Sequence, residues 1–148
     1  MAGKGYVGLD LDIDQAKEIQ KLFKIAGVDC LTPSQFHVTV MQDESNPEID
    51  LLSNDKTYTA KITGVERLGK PGGEWEAIVL LLDAPEIQQR HKELVNAGFK
   101  HKFDDLKCHM SIVYKPKDTD EDLINLVFNL GVLPEELTFG NEQLKVTV

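Results

Sequence analysis

Apolar positions along the chain change their period several times, and each change marks an element. Tyr6 to Leu11 reads Tyr-Val-Gly-Leu-Asp-Leu, an alternation that predicts a first strand. Ala16, Ile19, Leu22, Phe23 and Ala26 then recur at helical spacing, with Asp14 as the expected N-cap and Gly27 as the stop. Phe36 to Met41 predicts a second strand, followed by a polar, acidic loop from Gln42 to Asp55. Tyr58 to Leu68 alternates as a third strand, and Lys70-Pro71-Gly72-Gly73 marks a turn. Trp75 to Leu82, apolar apart from Glu76, is expected to be a strand covered on both faces. Pro85 opens a second helix that carries Ile87, His91, Leu94 and Val95 and stops at Gly98. Leu106 to Tyr114 predicts another strand. Thr119 to Leu130 predicts a third helix, with Thr119 as N-cap and acidic residues in its first turn. Glu142 to Val148 alternates as a last strand.

Two of these strands carry the same pattern. His37-Val38-Thr39-Val40 and His109-Met110-Ser111-Ile112 both read histidine, apolar, hydroxyl, apolar. Side chains alternate across a strand, so His37 and Thr39 share one face while Val38 and Val40 take the other. His109 and Ser111 separate from Met110 and Ile112 in the same way. The histidines stand 72 residues apart, near half the 148-residue chain. Strand, helix and motif strand run from Tyr6 to Met41 and again from Trp75 to Tyr114, which predicts a pseudo-duplicated α+β fold with two lobes facing a central cleft. One domain is expected over residues 1–148.

Composition narrows the partners. Apolar residues make up 41% and charged residues 28%, as in a compact folded chain. No apolar leader or membrane-length run is evident, and Cys30 and Cys108 form no CxxC pair, so a cytoplasmic protein with reduced thiols is expected. Cys108 precedes His109 and so faces away from it, as core filler. The net charge of −9 opposes binding of polymeric nucleic acid, which demands a basic face, but leaves a small phosphate ligand in a cleft open.

Two imidazoles and two hydroxyls suit phosphodiester cleavage. One histidine takes a proton from the attacking oxygen and the other gives one to the leaving oxygen, near the unperturbed imidazole pKa of about 6.5. The Thr39 and Ser111 hydroxyls donate to the non-bridging oxygens as charge builds. Which histidine is base is not set by the sequence. A ribose 2′-hydroxyl nucleophile needs no metal or other cofactor, and no HxH or HExxH spacing exists. A single His-x-Thr in a strand is more often structural; two at the same offset favour a site. His91 is expected at the surface or in packing between lobes, and His101 in a polar linker.

The two motifs resemble the paired signatures of the 2H phosphoesterase superfamily. Within it the chain is similar to the phage anti-CBASS phosphodiesterases, through Gly5-Tyr6-Val7-Gly8, Phe36 to Met41, the helix from Ala84-Pro85-Glu86 to Gly98 with Arg90-His91 and Glu93-Leu94, and His109 to Tyr114. The resemblance implies a bilobal, pseudo-twofold fold, with antiparallel sheets lining the cleft and helices outside. It implies metal-independent hydrolysis of 3′–5′ bonds in cyclic di- and trinucleotide immune signals, through 2′-hydroxyl attack and a cyclic phosphate. His37, Thr39, His109 and Ser111 take the four catalytic positions. Three residues are expected to bind substrate: Tyr6 on a phosphate, Trp75 stacked on a base, and Glu142 accepting from a base edge. Alternatives are a 2′,3′-cyclic phosphodiesterase of RNA repair, a non-catalytic cyclic-nucleotide sequestering protein, and a structural interaction protein. The Gln42 to Asp55 loop is either a lid or a surface connection.

Overall fold

The computed structural model describes residues 4–43, 56–73, 76–96 and 106–147. In chain order they form β1 (Lys4–Leu11), α1 (Ile13–Ile25), a 3-10 turn (Pro33–Gln35), β2 (His37–Asp43), β3 (Tyr58–Leu68), β4 (Ala77–Asp83), α2 (Pro85–Asn96), β5 (His109–Tyr114), α3 (Asp120–Asn129) and β6 (Glu136–Thr147). The six strands close into an antiparallel barrel in the order β1-β2-β5-β4-β3-β6. That order is palindromic about the β2–β5 contact: β1 and then β6 lie on one side, β4 and then β3 on the other. The repeated strand–helix–strand units, β1-α1-β2 and β4-α2-β5, therefore sit on either side of one seam. The two motif strands are neighbours in a single closed sheet, where opposed lobes were expected.

The barrel is filled from both halves. Val7, Leu9, Val38, Val40, Met110, Ile112, Ile78 and Leu80 have no exposed surface, and Phe36, Leu137 and Phe139 join them in one cluster. The continuous apolar run of β4 is covered on both faces from Ala77 to Leu80, as its sequence predicts.

Helix boundaries follow local chemistry. Asp12, not Asp14, caps α1: its carboxylate accepts from the Gln15 amide at 3.2 Å, and Asp14 falls inside the first turn. Ala16, Ile19 and Phe23 are buried along one stripe. At the far end Gly27 takes φ +93°, with Val28 N–H on Phe23 O at 2.9 Å and Gly27 N–H on Lys24 O at 3.1 Å. This is the paired-bond termination for which glycine's freedom at positive φ is needed. Thr119 precedes α3 but makes no side-chain cap; the Asp120 carboxylate accepts from Lys117 N–H at 2.8 Å instead. α3 covers the core with Ile124 and Val127. The last strand begins at Glu136, six residues before the sequence pattern suggests, because Leu137 and Phe139 alternate inward within a polar stretch.

α2 fastens the barrel. Arg90 donates from Nε and Nη2 to the two carboxylate oxygens of Glu142 on β6, at 2.7 and 2.8 Å. The Glu142 side chain has no exposed surface and that of Arg90 retains 13%. Two parallel bonds of this kind match the guanidinium fork to the carboxylate plane. Removing one partner strands a buried charge. Arg90→Met should therefore lower the unfolding free energy by about 3–5 kcal/mol in urea titration, whereas Arg90→Met with Glu142→Leu should regain most of it. A single variant within about 1 kcal/mol of the parent would deny the clamp a structural role.

Candidate active site

The seam between β2 and β5 is registered at Val38 opposite Met110, both fully buried. In an antiparallel pair the flanking residues then oppose one another on the outer face: His37 across from Ser111, and Thr39 across from His109. All four are half-buried while the alternate residues Val38, Val40, Met110 and Ile112 are sealed in the barrel. Directly opposed Cβ atoms lie about 4.5–5.5 Å apart and diagonal ones about 7–8 Å, so two imidazoles on the diagonal leave room for one phosphate between them.

The rings are fixed in the same way. His37 Nδ1 lies 2.9 Å from Gln35 O and His109 Nδ1 lies 2.8 Å from Lys107 O, each the carbonyl two residues upstream. A carbonyl only accepts, so both Nδ1 atoms carry hydrogen and donate, and Nε2 is left for the outer face. Neither Nε2 atom, nor the hydroxyl of Thr39 or Ser111, has a partner among the described residues.

Supporting groups surround the tetrad. β1 and β2 slip register between Val7–Met41 and Gly8–Thr39, which leaves Val40 as the extra residue of a bulge. His91 on α2 reaches the carbonyl of Val40, with Nδ1 at 2.7 Å. Gln88, one turn earlier, donates to Leu106 O at 2.9 Å, just ahead of β5. One helix thus holds the backbone beside both motifs. His91 was expected in surface or interlobe packing, and it makes this bond to the β2 backbone. Arg67 donates to Glu76 at 2.8 Å, and Glu76 accepts from Gly72 N–H at 3.3 Å, pinning the Pro71-Gly72-Gly73 turn.

The surroundings of His109 act on its charge. Burial pushes the His109 ring below its usual pKa, and the positive charges of Lys107 and His37 add to this; the Lys107 carbonyl bond and the Glu66 carboxylate oppose it. Lys107, just ahead of β5, forms an ion pair with Glu66 on β3. Cys108, facing away, is buried, and its thiol is pushed up to about 11 by burial. That pKa suits an inert core thiol.

Of the three expected substrate contacts, Tyr6 lies in β1 opposite Gln42, though its side chain falls outside the described residues, as do Trp75, His101 and most of the Gln42 to Asp55 loop. Glu142 differs from expectation. It lies inside β6, both its oxygens accept from Arg90, and no surface remains on which a base edge would dock. Sequence reasoning missed Gln88, the Lys107–Glu66 pair and the Arg90–Glu142 bond. Nothing in local pattern links residues so far apart. Among the described residues no cluster of three or more His, Cys, Asp or Glu has metal-binding geometry, and no helix is long and apolar enough to cross a membrane.

Among the described residues the architecture is an α+β one, a six-stranded antiparallel barrel with three helices. A solved structure of Kluyveromyces marxianus Usb1 shares this fold, with a TM-score of 0.57 over 99% of this chain and 95% of that one at 12% identity. Residues 4–143 match the family model for anti-CBASS protein Acb1, and the chain belongs to that family. It is 31% identical to the anti-CBASS protein Acb1 of Vibrio phage KVP40 over 110 residues, 74% of this chain and 71% of the relative. It is also 29% identical to an anti-CBASS protein Acb1 from Sphingomonas paeninsulae over 104 residues, 66% of this chain but 17% of that much longer relative.

The charge balance around His109 is open to measurement. Lys107→Gln removes a charge that disfavours the imidazolium and should raise the His109 titration midpoint, read from ring-proton NMR. Glu66→Gln removes a favouring charge and should lower it. An unmoved midpoint in both variants would show that the pair does not act on this ring.

Proposed function

We propose that the protein evades CBASS defence as a metal-independent phosphodiesterase that opens the 3′–5′ bonds of cyclic di- and trinucleotide signals. The observation that carries this reading is the matched pair of imidazoles, each tethered through Nδ1 to the carbonyl two residues upstream with its Nε2 unpartnered among the described residues. Family membership supplies the biological setting.

In this reading the scissile phosphate sits between the rings. His109, biased toward its neutral form, accepts the 2′-hydroxyl proton at Nε2 as that oxygen attacks phosphorus. His37 donates from Nε2 to the departing 5′-oxygen, and a 2′,3′-cyclic phosphate results. Water then attacks with the roles exchanged: neutral His37 takes its proton and His109 returns one to the 2′-oxygen, leaving a 3′-phosphate. Thr39 and Ser111 donate to the non-bridging oxygens, where negative charge gathers in the transition state.

The deciding assay incubates the protein with 3′,3′-cyclic GMP-AMP, cyclic triadenylate and 2′,3′-cyclic AMP in the presence of EDTA. Linear products from the larger rings are expected. Cleavage of 2′,3′-cyclic AMP alone would shift the assignment to RNA repair, and tight binding without products would indicate sequestration. His37→Ala and His109→Ala should each reduce turnover by about two orders of magnitude or more. Because His109 must be neutral to act as base, the acid limb of kcat/KM should fall below the ordinary imidazole range and move upward in Lys107→Gln. An unmoved limb would argue against His109 as the base.

A further inference from the structure

Each motif strand carries a bulge at the residue that follows its hydroxyl. The register of β2 against β1 passes from Thr39–Gly8 to Met41–Val7 and omits Val40. The register of β5 against β4 passes from Ser111–Val79 to Val113–Ile78 and omits Ile112. Val40 and Ile112 are therefore equivalent positions in the two halves, and both are fully buried. A bulge disrupts the ladder locally and re-aims the side chain beside it.

Both bulge carbonyls are held, each by the other half of the molecule. Ile112 O accepts from Leu31 N–H at 2.8 Å, in the segment that follows α1. Val40 O accepts from His91 Nδ1 on α2 at 2.7 Å. The first unit thus grips the second motif strand, and the second unit grips the first. One grip is a backbone amide; the other is a side chain that substitution can remove. His37 has its own tether, through Nδ1 to Gln35 O. Thr39 has none: its hydroxyl lacks a partner among the described residues, and its neighbour on β1 is Gly8, which offers no side chain to pack against. Where Thr39 points is set by the backbone on either side of it, and on one side that backbone is the bulge.

We propose that His91 is a positioning residue for the reaction, holding the Val40 carbonyl so that the Thr39 hydroxyl faces the transferring phosphate; the inference rests on the hydrolase reading above. His91 acts through the backbone and exchanges no proton with the substrate. With its bond in place, the hydroxyl meets a non-bridging oxygen as charge gathers there. Without it the bulge relaxes and the donor is displaced. A small displacement forfeits much of the stabilisation of the transition state while the bound ground state is little changed. The effect therefore falls on kcat.

The test measures kcat and KM on 3′,3′-cyclic GMP-AMP through double-mutant cycles. His91→Leu should lower kcat by about tenfold or more, with KM changed by less than about threefold. His91→Asn, whose amide nitrogen stands as many bonds from Cβ as Nδ1 does, should recover most of that loss. In a Thr39→Val background His91→Leu should cost less than about threefold further, because the hydroxyl it positions is already gone. In a Ser111→Ala background it should cost its full factor. An unchanged kcat in His91→Leu, equal losses in the two backgrounds, or an asparagine variant no better than the leucine one each overturn the inference and leave the hydrolase reading intact. A parent chain that cuts no cyclic di- or trinucleotide overturns both together. Should His91→Leu not fold, His91→Asp, which has the shape of asparagine but no N–H at neutral pH, takes its place in the cycles.

Discussion

The pairing of Val38 with Met110 is the constraint from which the candidate site follows. It joins two segments 72 residues apart and seals both side chains inside the barrel. Strand alternation then leaves no choice about the remaining residues: both histidines and both hydroxyls must emerge on the opposite face. A slip of one residue on either strand would bury an imidazole and expose a valine or methionine, so core packing and site geometry enforce the same register. Because that contact is narrow, α2 supplies the cross-links the ladder lacks. Gln88 holds the backbone ahead of β5, His91 holds the bulge after Thr39, and Arg90 ties the helix to β6 through Glu142. Three residues within one turn of helix connect both motif strands to the strand that closes the barrel.

The twofold pattern of the fold does not extend to its electrostatics. Both rings use the same Nδ1 tether, yet burial and a nearby lysine disfavour the protonated form of His109, and that lysine is itself partnered by Glu66. In the proposed acid–base reading one imidazole is neutral while the other holds a proton, and a difference of this kind favours one assignment of the two roles. At His109 burial is the main cause, with the Lys107 charge added to it and the Glu66 carboxylate opposing.

Much of this was legible in the sequence, and for a definable reason. Strand alternation is local, so His37 with Thr39 and His109 with Ser111 declare their shared faces within four residues each. The apolar run into β4 declares its burial, and the repeated strand–helix–strand units declare the pseudo-symmetry. What the sequence hides is pairing across distance. The motif strands were expected on facing lobes, and they lie edge to edge in one barrel. Glu142 was expected at a base edge because it opened an alternating run; the run in fact starts at Glu136, and the carboxylate is held by an arginine 52 residues away. Asp12 displaced Asp14 as the α1 cap because two acidic residues two apart offer the same local signal, and only backbone geometry separates them.

The acidic character of the chain fits a small cyclic substrate better than a long RNA, and the argument is one of scaling. A net charge of −9 repels an approaching anion in proportion to the charge that anion brings within a screening length, about 8 Å at physiological salt. A cyclic dinucleotide brings two phosphates and a trinucleotide three. A polynucleotide lays phosphates along the whole surface and meets the unscreened charge of every acidic side chain it crosses. In the proposed reading the donors on the β2–β5 seam, its hydroxyls and imidazole N–H groups, need to offset only the first of these costs. On that reading discrimination against polymer requires no dedicated gate: the seam would set what is bound, and the charge around it would limit how large the bound anion is.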